Sequence, residues 1–505
     1  MRHSYNRTLG IASFVAVVAL VATLSVHTLT SIYQDIGRHI RIGDIIWSTR
    51  RIPETNLFSY TAPDFPFSNH HWLGSLALFA GDRLVGLRGL IVAKALLLAL
   101  SFGLALAASW KQRIALPASV AGVAGVFALI ERTDVRPEVL SFVFVAWFLF
   151  VLYRKERSSA FFWTLPVIQL LWVNTHIYFF MGPFVWVAFL IGQSIAARSF
   201  RDWCSSFIRS RYAGMTALLV FATLLNPSGI HGAFYPLAVW GNYGYSIAEN
   251  QTPFFLLRLG YPPMTTIALG VLMAMVAASF AANWRRVREN IGGMFLVVVT
   301  GGLALAMVRN FPLFALCALP VTLKNIGERE WRWGGRGLLG AGALVVGLIA
   351  ASAAADQVYP QAGLQGKHFG LSVPAGYQES VDFYRQAGIH GPLFNNFDVG
   401  SFLIWKLPEE PVFIDGRPEA YPADFIQQTY IPMQESATAW RAGVERYGIN
   451  ALFWNTNDMT PWSHTFVERI THDPQWVTVY HGQGILIMVR DAPQNAEVIR
   501  QFRLK

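Results

Sequence analysis

Long apolar runs alternate with short polar connections through about the first 355 residues of the chain. A helix needs roughly 20 apolar residues to cross a bilayer, and these runs reach or approach that length. The pattern therefore predicts about eleven membrane-spanning helices. They cover residues 11–32, 88–109, 115–131, 139–153, 159–173, 178–197, 213–226, 263–282, 291–308, 310–324 and 337–355.

One apolar segment, 73–87, differs from the others because small and charged residues interrupt it, namely Gly74, Gly81, Asp82 and Arg83. A short amphipathic segment of this kind is typical of a helix that lies in the membrane interface. We therefore expect residues 33–87, between the first two spans, to form an outer loop that ends in an interfacial helix.

The pattern changes after residue 355, where strand-like and helix-like pieces alternate. Strands are expected at 392–396, 411–415 and 450–454, with two more inside 476–489, and helices at 399–407, 437–447 and 463–471. The sequence thus predicts two domains. Residues 1–355 form a multispanning domain, and residues 356–505 form an extracytoplasmic α/β domain with a mixed sheet.

The composition agrees with a membrane protein, since 53% of the 505 residues are hydrophobic and only 14% are charged. The net charge of +10 does not require a nucleic-acid partner, because Lys and Arg concentrate in alternate connections. Examples are Arg209 with Arg211, and Arg285 with Arg286 and Arg288. These connections and the N-terminus are predicted to be cytoplasmic, and the C-terminal domain extracytoplasmic.

The cysteines and the first apolar run add two expectations. Cys204 lies in a predicted cytoplasmic connection and Cys317 in a late span, so no disulfide is predicted. The first run has a basic flank but no clear small-residue cleavage site, which indicates an uncleaved membrane anchor.

Asp35 is the first candidate for chemistry, because it lies one turn beyond the predicted end of the first span. A carboxylate near lipid is costly, and membrane proteins rarely keep one there without a use. Asp35 is therefore a candidate general base that takes a proton from an acceptor hydroxyl. The alternative is a helix-end carboxylate paired with Arg38, and the sequence leaves both open.

Other candidates lie in the same outer loop. His39 follows Asp35 by one helical turn, so it either orients the carboxylate, touches substrate or forms a structural hydrogen bond. Arg38 and Arg41 depart from the positive-inside rule and are candidates for holding an anionic group. His71 is a candidate to line the site.

The loop gives only weak support for a divalent metal, and no cofactor is assigned. His70 and His71 are adjacent, and neighbouring side chains on a helix diverge by about 100°. They are therefore not expected to bind one metal ion together. The chain also has no HExxH, CxxC or DxD-type cluster.

The second outer connection, 131–138, has more charged residues than a turn needs. A guanidinium fork matches a phosphate group, so Arg132 or Arg136 is a candidate phosphate ligand, with Glu138 beside Arg136. A mutually neutralised, solvated turn is the alternative. Arg309 lies alone between two late spans and is a second candidate, for which snorkelling to the interface is the alternative.

Asn174 and His176 are polar residues at the outer end of an apolar span. Such residues need partners, so they face the protein interior or a wet cavity. They are candidates for substrate binding, and hydrogen bonding between helices is the alternative.

Several motifs follow one another along the chain. Asp35 precedes Asn-Leu-Phe-Ser-Tyr-Thr-Ala-Pro at 56–63, Asn-His-His-Trp-Leu at 69–73 and Arg136-Pro137. Asn174 with His176, Leu225-Asn226-Pro227, Phe394-Asn395-Asn396-Phe397-Asp398 and Phe413-Ile414-Asp415-Gly416-Arg417 come later. The pattern resembles bacterial multispanning proteins of the GT-C glycosyltransferase superfamily, related to the protein O-mannosyltransferases and the lipid A aminoarabinose transferases. It covers nearly the whole chain.

The resemblance implies a polytopic α-helical protein of the bacterial inner membrane with a GT-C-like fold. Such a protein transfers a sugar from a polyprenyl-phosphate-linked donor to a lipid, glycan or protein acceptor. In these enzymes an acidic residue of the first outer loop acts as the base, and Asp35 is the matching position. In this group, Glu often precedes the Trp of the Asn-His-x-Trp segment. This chain has His71 at that position, so no acidic role transfers there.

Two other functions stay open. A lipid-linked sugar flippase would carry polar residues at mid-membrane on several helices, whereas polar residues here gather at outer helix ends. A non-catalytic envelope assembly protein would bind a partner through its outer domain and would tolerate substitution of Asp35.

Overall fold

The computed structural model describes residues 2–30, 35–111, 114–154, 159–196, 200–238, 245, 247–328, 335–354, 356–373 and 376–504. The ends of three predicted spans, at residues 31–32, 197 and 355, lie outside this part of the chain. The chain divides into two compact units. Unit 1 comprises Met1–Thr28, Arg88–Pro236 and Ile247–Ser372, and unit 2 comprises Leu29–Leu87, Leu237–Ser246 and Val373–Lys505.

Helices make up most of the described residues. The first are α1 (Arg2–Leu24), α2 (Ile36–Thr49), α3 (Trp72–Ala107), α4 (Ala115–Leu129), α5 (Glu138–Tyr153), α6 (Ser159–Phe162), α7 (Leu165–Val173), α8 (Met181–Ala196), α9 (Phe200–Ile208), α10 (Arg211–Leu224), α11 (Gly229–Ala238) and α12 (Pro253–Arg258). They are followed by α13 (Met264–Ala282), α14 (Ile291–Ala306), α15 (Phe311–Gly327), α16 (Gly335–Ala354) and α17 (Val358–Gln361).

The C-terminal part mixes helices and strands. Its helices are α18 (Gly376–Gln386), α19 (Phe397–Lys406), α20 (Ala423–Phe425), α21 (Ile431–Glu435), α22 (Ala437–Tyr447), α23 (Pro461–Ile470) and α24 (Ala496–Phe502). Its strands are β1 (Leu393–Asn395), β2 (Ala451–Asn455), β3 (Trp476–Gly482) and β4 (Ile485–Arg490).

The described residues contain 5 helices that are long and apolar enough to cross a membrane: Trp72–Ala107, Ala115–Arg132, Ile177–Ile195, Met264–Ala282 and Trp284–Ala306. Arg211–Leu224 and Gly229–Leu237, which meet at 96°, add a sixth if they form one broken span. Shorter apolar helices are Gly10–Leu24, Glu138–Tyr153, Ala160–Val173 and Val345–Ala354. The chain is a multi-pass membrane protein, and the number of about eleven spans stays a prediction.

Helix α3 is broken at Gly86, whose φ is 66° and ψ is 176°. Glycine adopts this backbone conformation without strain because it has no Cβ. The break coincides with the predicted change from an interfacial segment, 73–87, to a span, 88–109. The parts of α3 before and after Gly86 therefore run in different directions and are joined at this one residue.

Helices of unit 1 approach closely where glycine faces a backbone carbonyl. A Cβ on Gly292 in α14 would lie 2.1 Å from the carbonyl oxygen of Ala188 in α8. Small residues permit such contacts between helices in membranes, where packing rather than water drives association.

Unit 2 contains a four-stranded sheet in the order β1-β2-β4-β3. β1 is parallel to β2, whereas β4 is antiparallel to β2 and β3, so the expected mixed sheet is confirmed. The strand predicted at 411–415 is wrong. Val412 forms only a single parallel bridge with Ser59, because the chain turns at Asp415 before a ladder can continue.

One prediction concerns α2, which packs against α3 without room for a side chain at Gly43. A Cβ there would lie 2.4 Å from Ser75 O and 2.5 Å from Phe79 Cβ. Gly43→Ala should therefore lower the free energy of unfolding by about 1–3 kcal/mol. The measurement is the melting temperature of the detergent-solubilised protein.

The matched control is Gly270→Ala in α13, where a Cβ would meet no heavy atom within 4 Å. This change should be neutral or slightly stabilising, because alanine has the higher helix propensity. Equal melting temperatures for the two variants would contradict the close packing of α2.

Candidate functional site

Asp35 immediately precedes α2, and its side chain is 26% exposed. Arg38 Nη2 lies 3.3 Å from Asp35 Oδ2, so the ion pair considered as the alternative is present. Arg38 Nη1 also lies 3.9 Å from Glu419 Oε1. A partly exposed ion pair contributes little to stability and leaves the carboxylate accessible, so it is compatible with a role in proton transfer.

The N-terminal half of α19 packs against the beginning of α2. A Cβ at Gly37 would lie 2.4 Å from the carbonyl oxygen of Ser401, so the two helix backbones touch. Asp398 and Ser401 are three residues apart and share one face of α19. The contact therefore brings this face of α19 next to Asp35.

Gly416 packs closely against Asp35 and Ser401. A Cβ on Gly416 would lie 2.8 Å from Ser401 Oγ and 3.5 Å from Asp35 Oδ1. Ser401 is 2% exposed, and its Oγ has no hydrogen-bond partner among the described residues. A buried hydroxyl and a carboxylate thus both lie next to the Gly416 backbone.

Asp398 lies in the first turn of α19. Burial, followed by the charges of Asp458 and Asp35, raises the pKa of Asp398 to about 7. A carboxyl group that titrates near neutral pH can both give and take a proton under physiological conditions. Perturbed carboxyl groups of this kind are concentrated at functional sites.

The neighbouring Asp458 is held firmly by hydrogen bonds. Asn396 Nδ2 donates to Asp458 Oδ2 at 3.0 Å, and the backbone N and the Oγ1 of Thr460 donate to Asp458 Oδ1 at 2.9 and 2.8 Å. Beside this cluster, the ring of Tyr245 stacks on Phe397 with centroids 4.2 Å apart.

The Asp415-Gly416-Arg417 turn contains a local ion pair. Arg417 Nε and Nη2 donate to the two carboxylate oxygens of Asp415 at 2.7 Å each. Arg417 Nη2 also donates to Asn56 Oδ1 at 2.9 Å, and its guanidinium lies 4.8 Å from the ring centroids of Phe58 and Phe67. The pair is buried and fixes the motif at 56–63.

The remaining loop candidates make structural contacts. His39 is buried, with Nδ1 2.8 Å from Ser75 Oγ, which agrees with the structural alternative for this residue. Its ring meets that of His71 edge to face, with centroids 5.6 Å apart. Arg41 Nη1 donates to Asp44 Oδ2 at 2.8 Å.

The candidate phosphate ligands belong to unit 1. Arg136 Nη1 donates to Glu249 Oε2 at 3.1 Å, and Arg132 Nη1 donates to the same oxygen. Arg132 Nη2 donates to Glu138 Oε2 at 2.5 Å. The alternative for this turn was a mutually neutralised, solvated set of charges. Its charges do pair with one another, but the turn is largely buried rather than solvated.

Arg309 belongs to the same cluster. Its Nη1 lies 4.0 Å from Glu249 Oε1 and donates to Asn250 Oδ1 at 3.0 Å, and its Nε donates to Tyr178 OH at 3.3 Å. Burial alone would raise the pKa of Glu249, but Arg132, Arg136 and Arg309 hold it well below its usual range. Besides Glu138 and Glu249, two more carboxylates interact with these arginines, because Glu131 faces Arg132 and Asp134 faces Arg136.

Asn174 and His176 are buried in unit 1 and bond between helices. Asn174 Nδ2 donates to the carbonyl oxygens of Leu170 and Leu225 at 2.9 Å each. His176 Nδ1 lies 3.0 Å from Ser141 Oγ and accepts from the backbone N–H of Tyr178 at 3.3 Å. These contacts agree with the alternative that Asn174 and His176 form hydrogen bonds between helices.

A second buried cluster in unit 1 was not expected from the sequence. His27 Nδ1 donates to Thr28 O at 3.2 Å, so its Nε2 accepts from Lys94 Nζ at 3.1 Å. Lys367 pairs with Asp134, and the cluster joins the end of α1 to the segment after α17.

Sequence reasoning did not assign roles to Ser401, Asp398 or Glu249. Asp398 was noted only as the last residue of the motif at 394–398, and Glu249 was given no role. The residues that surround them come from distant parts of the chain, so the local sequence did not reveal these contacts. An acidic residue in the first turn of a helix after a paired Asn motif was the one available signal. Among the described ranges no group of three or more His, Cys, Asp or Glu is placed to hold a metal ion.

Solved structures share the fold of this chain. The archaeal oligosaccharyltransferase AglB from Archaeoglobus fulgidus, in complex with an inhibitory peptide and a dolichol-phosphate, has a TM-score of 0.57 and 10% identity, with 96% of this chain and 75% of that chain covered. ArnT from Cupriavidus metallidurans, bound to undecaprenyl phosphate, has a TM-score of 0.53 and 12% identity, with 95% and 98% covered.

Neither a protein-family model nor a curated protein sequence matches the chain. At 10–12% identity the structural similarity establishes the fold. Both neighbours have the GT-C fold, so the resemblance drawn from the sequence motifs is confirmed at that level. The chain is a polytopic membrane protein of the GT-C fold with a C-terminal α/β part.

Proposed function

We propose that the protein is a glycosyltransferase that uses a polyprenyl-phosphate-linked sugar as donor and an envelope molecule as acceptor, at the outer face of a bacterial inner membrane. The observation that carries the proposal is Asp35, an accessible carboxylate next to the buried polar face of α19. The fold supports it, because the neighbours AglB and ArnT were solved with dolichol-phosphate and undecaprenyl phosphate.

The chemistry follows from the position of Asp35. Its carboxylate takes the proton of an acceptor hydroxyl while the acceptor oxygen bonds to the anomeric carbon of the donor sugar. The bond from that carbon to the phosphate oxygen breaks, and polyprenyl phosphate leaves with the electron pair. Attack from the face opposite the leaving group inverts the configuration. Arg38, paired with Asp35, orients the carboxylate.

The leaving phosphate carries more negative charge in the transition state than in the bound donor, so nearby positive charge accelerates the reaction. Arg136 and Arg309 are the proposed phosphate ligands. Both belong to the buried charged cluster around Glu249.

The first test is Asp35→Asn, which keeps the shape of the side chain but removes the base. We expect the rate of sugar transfer to fall by about 10²–10⁴-fold. The measurement is mass spectrometry of envelope glycans and glycolipids in a deletion strain that expresses the wild-type or the variant protein. Asp424→Asn is the matched control, because Asp424 is an exposed carboxylate at the start of another helix of unit 2.

A sugar that disappears in the deletion strain and with Asp35→Asn, but not with Asp424→Asn, supports the transferase. If Asp35→Asn restores the sugar as well as the wild-type protein does, the base assignment fails. A flippase or an assembly protein would then be the better interpretation.

The second test concerns the phosphate ligands. Arg136→Gln removes one guanidinium but leaves Glu249 paired with Arg132, so the protein should fold. Charge-assisted hydrogen bonds contribute about 1.5–3 kcal/mol, so binding of undecaprenyl phosphate to the purified protein should weaken by about 10–100-fold. The control is Arg286→Gln, which breaks an exposed ion pair with Glu289. Equal affinity for both variants would remove Arg136 from the phosphate site.

A further inference from the structure

An apolar groove of about 140 Å³ lies in unit 1 between three helices, α4, α13 and α15. Pro117 lines it from α4 and Ile326 from α15. Its floor is one face of α13, where lining residues recur every three or four positions, namely Met275, Ala278, Ser279 and Ala282. Three of these four side chains are small, so the groove stays open at the end of a helix long enough to span a membrane.

The polar residues that border the groove use their hydrogen bonds within the protein. Ser279 Oγ donates to Val276 O at 2.7 Å and accepts from Asn325 Nδ2 at 3.1 Å. Asn283 Nδ2 donates to the carbonyl oxygens of Asn325 at 2.8 Å and of Ser279 at 3.3 Å. A hydrocarbon chain can fill such a groove by van der Waals packing, whereas a polar molecule would find few partners there.

A basic segment begins where the groove ends. Residues 284–290, which directly follow α13 and Asn283, contain three arginines and one glutamate. Arg286 forms an ion pair with Glu289. Arg285 and Arg288 take no part in that pair, and both side chains are exposed. Two guanidinium groups next to the groove can therefore meet an anion from outside the protein.

The same segment has the residues that are typical of the level of lipid headgroups. Trp284 is 67% exposed, and the guanidinium of Arg285 lies 5.6 Å from its ring centroid. Exposed Trp at the end of a membrane helix, with Lys and Arg beyond it, is characteristic of the boundary between hydrocarbon and water. The groove thus lies on the hydrocarbon side of this boundary, and the arginines lie on the headgroup side.

We propose that the groove holds an acyl chain of an anionic phospholipid, whose phosphate lies at Arg285 and Arg288. The chain accounts for the apolar lining, and the phosphate accounts for the exposed guanidinium groups beside it. Basic segments next to membrane helices attract anionic lipids, and this segment belongs to a connection that the charge pattern predicts to be cytoplasmic. The proposal is independent of the sugar transfer, because none of these residues is assigned to that reaction.

The groove is tested by native mass spectrometry of the full chain in detergent, titrated with palmitoyl-oleoyl phosphatidylglycerol. Ala278→Phe should weaken binding of this lipid by about 10-fold or more, because the larger side chain fills the groove. Ala277→Phe is the matched control. Ala277 is the neighbouring exposed alanine of α13 and does not line the groove, so this variant should bind as the wild type does.

The headgroup is tested with phosphatidylcholine, which has the same chains but no net charge. Arg285→Gln and Arg288→Gln should each weaken binding of phosphatidylglycerol about 5-fold and leave that of phosphatidylcholine unchanged. Added salt should reduce the preference of the wild type for phosphatidylglycerol, because the two arginines are exposed. Arg209→Gln, in another connection predicted to be cytoplasmic, is the control and should have no effect.

The other outcomes overturn the proposal. If Ala278→Phe binds phosphatidylglycerol as tightly as Ala277→Phe does, the lipid does not occupy the groove. Equal affinity of the wild type for the two phospholipids removes the anionic headgroup. If undecaprenyl phosphate displaces phosphatidylglycerol from the wild type at equal concentration, the groove belongs to the carrier lipid. A wild type that is dimeric and an Ala278→Phe variant that is monomeric would make the groove a contact between two copies of the chain.

Discussion

The position of Asp35 depends on how closely α2 approaches its neighbours. Gly37 meets the carbonyl of Ser401, and Gly43 meets the carbonyl of Ser75, so a Cβ at either position would overlap a backbone oxygen. Backbone atoms cannot rotate away as side chains do, and each contact therefore fixes a distance. Asp35, at the start of α2, takes its place beside α19 as a consequence of these two contacts.

The charges of the two units serve different purposes. In unit 2 the ion pair of Asp415 with Arg417 is closed and buried, and it fixes a loop, whereas Asp398 keeps a carboxyl group without a cationic partner of its own. In unit 1 three guanidinium groups surround Glu249. A carboxyl group among other carboxylates suits proton transfer, and clustered guanidinium groups suit a phosphate.

Local sequence patterns correctly predicted those helices whose structure depends mainly on residues close together in the chain. Apolar spacing predicted a helix over 437–447, where α22 lies, and Gly86 breaks α3 where an interfacial segment was expected to end. The strand predicted at 411–415 was wrong because the chain turns at Asp415. Val412 therefore forms only a single bridge, with Ser59, which is far away in the chain. The partners of Asp398 are equally distant, so periodicity could not reveal its surroundings. Asp35 was predicted because the cost of a carboxylate near lipid is visible in the sequence.

Neighbouring polar residues around β1 and α19 differ in how fully their hydrogen bonds are satisfied. Asn395 donates to the carbonyl oxygens of Ile414 and Asn396 at 2.7 and 3.0 Å and accepts from the backbone N–H of Phe413 at 2.9 Å, so its amide is satisfied. Asn396 likewise donates to Asn455 O and Asp458 Oδ2, and accepts from the backbone N–H of Asn455. Ser401 Oγ, five residues on, has no partner in the described chain, and the same is true of the buried hydroxyls of Ser25 and Thr322. The two amides are satisfied because they tie β1 to β2 and to the segment before Asp415, a constraint that a hydroxyl on α19 does not share.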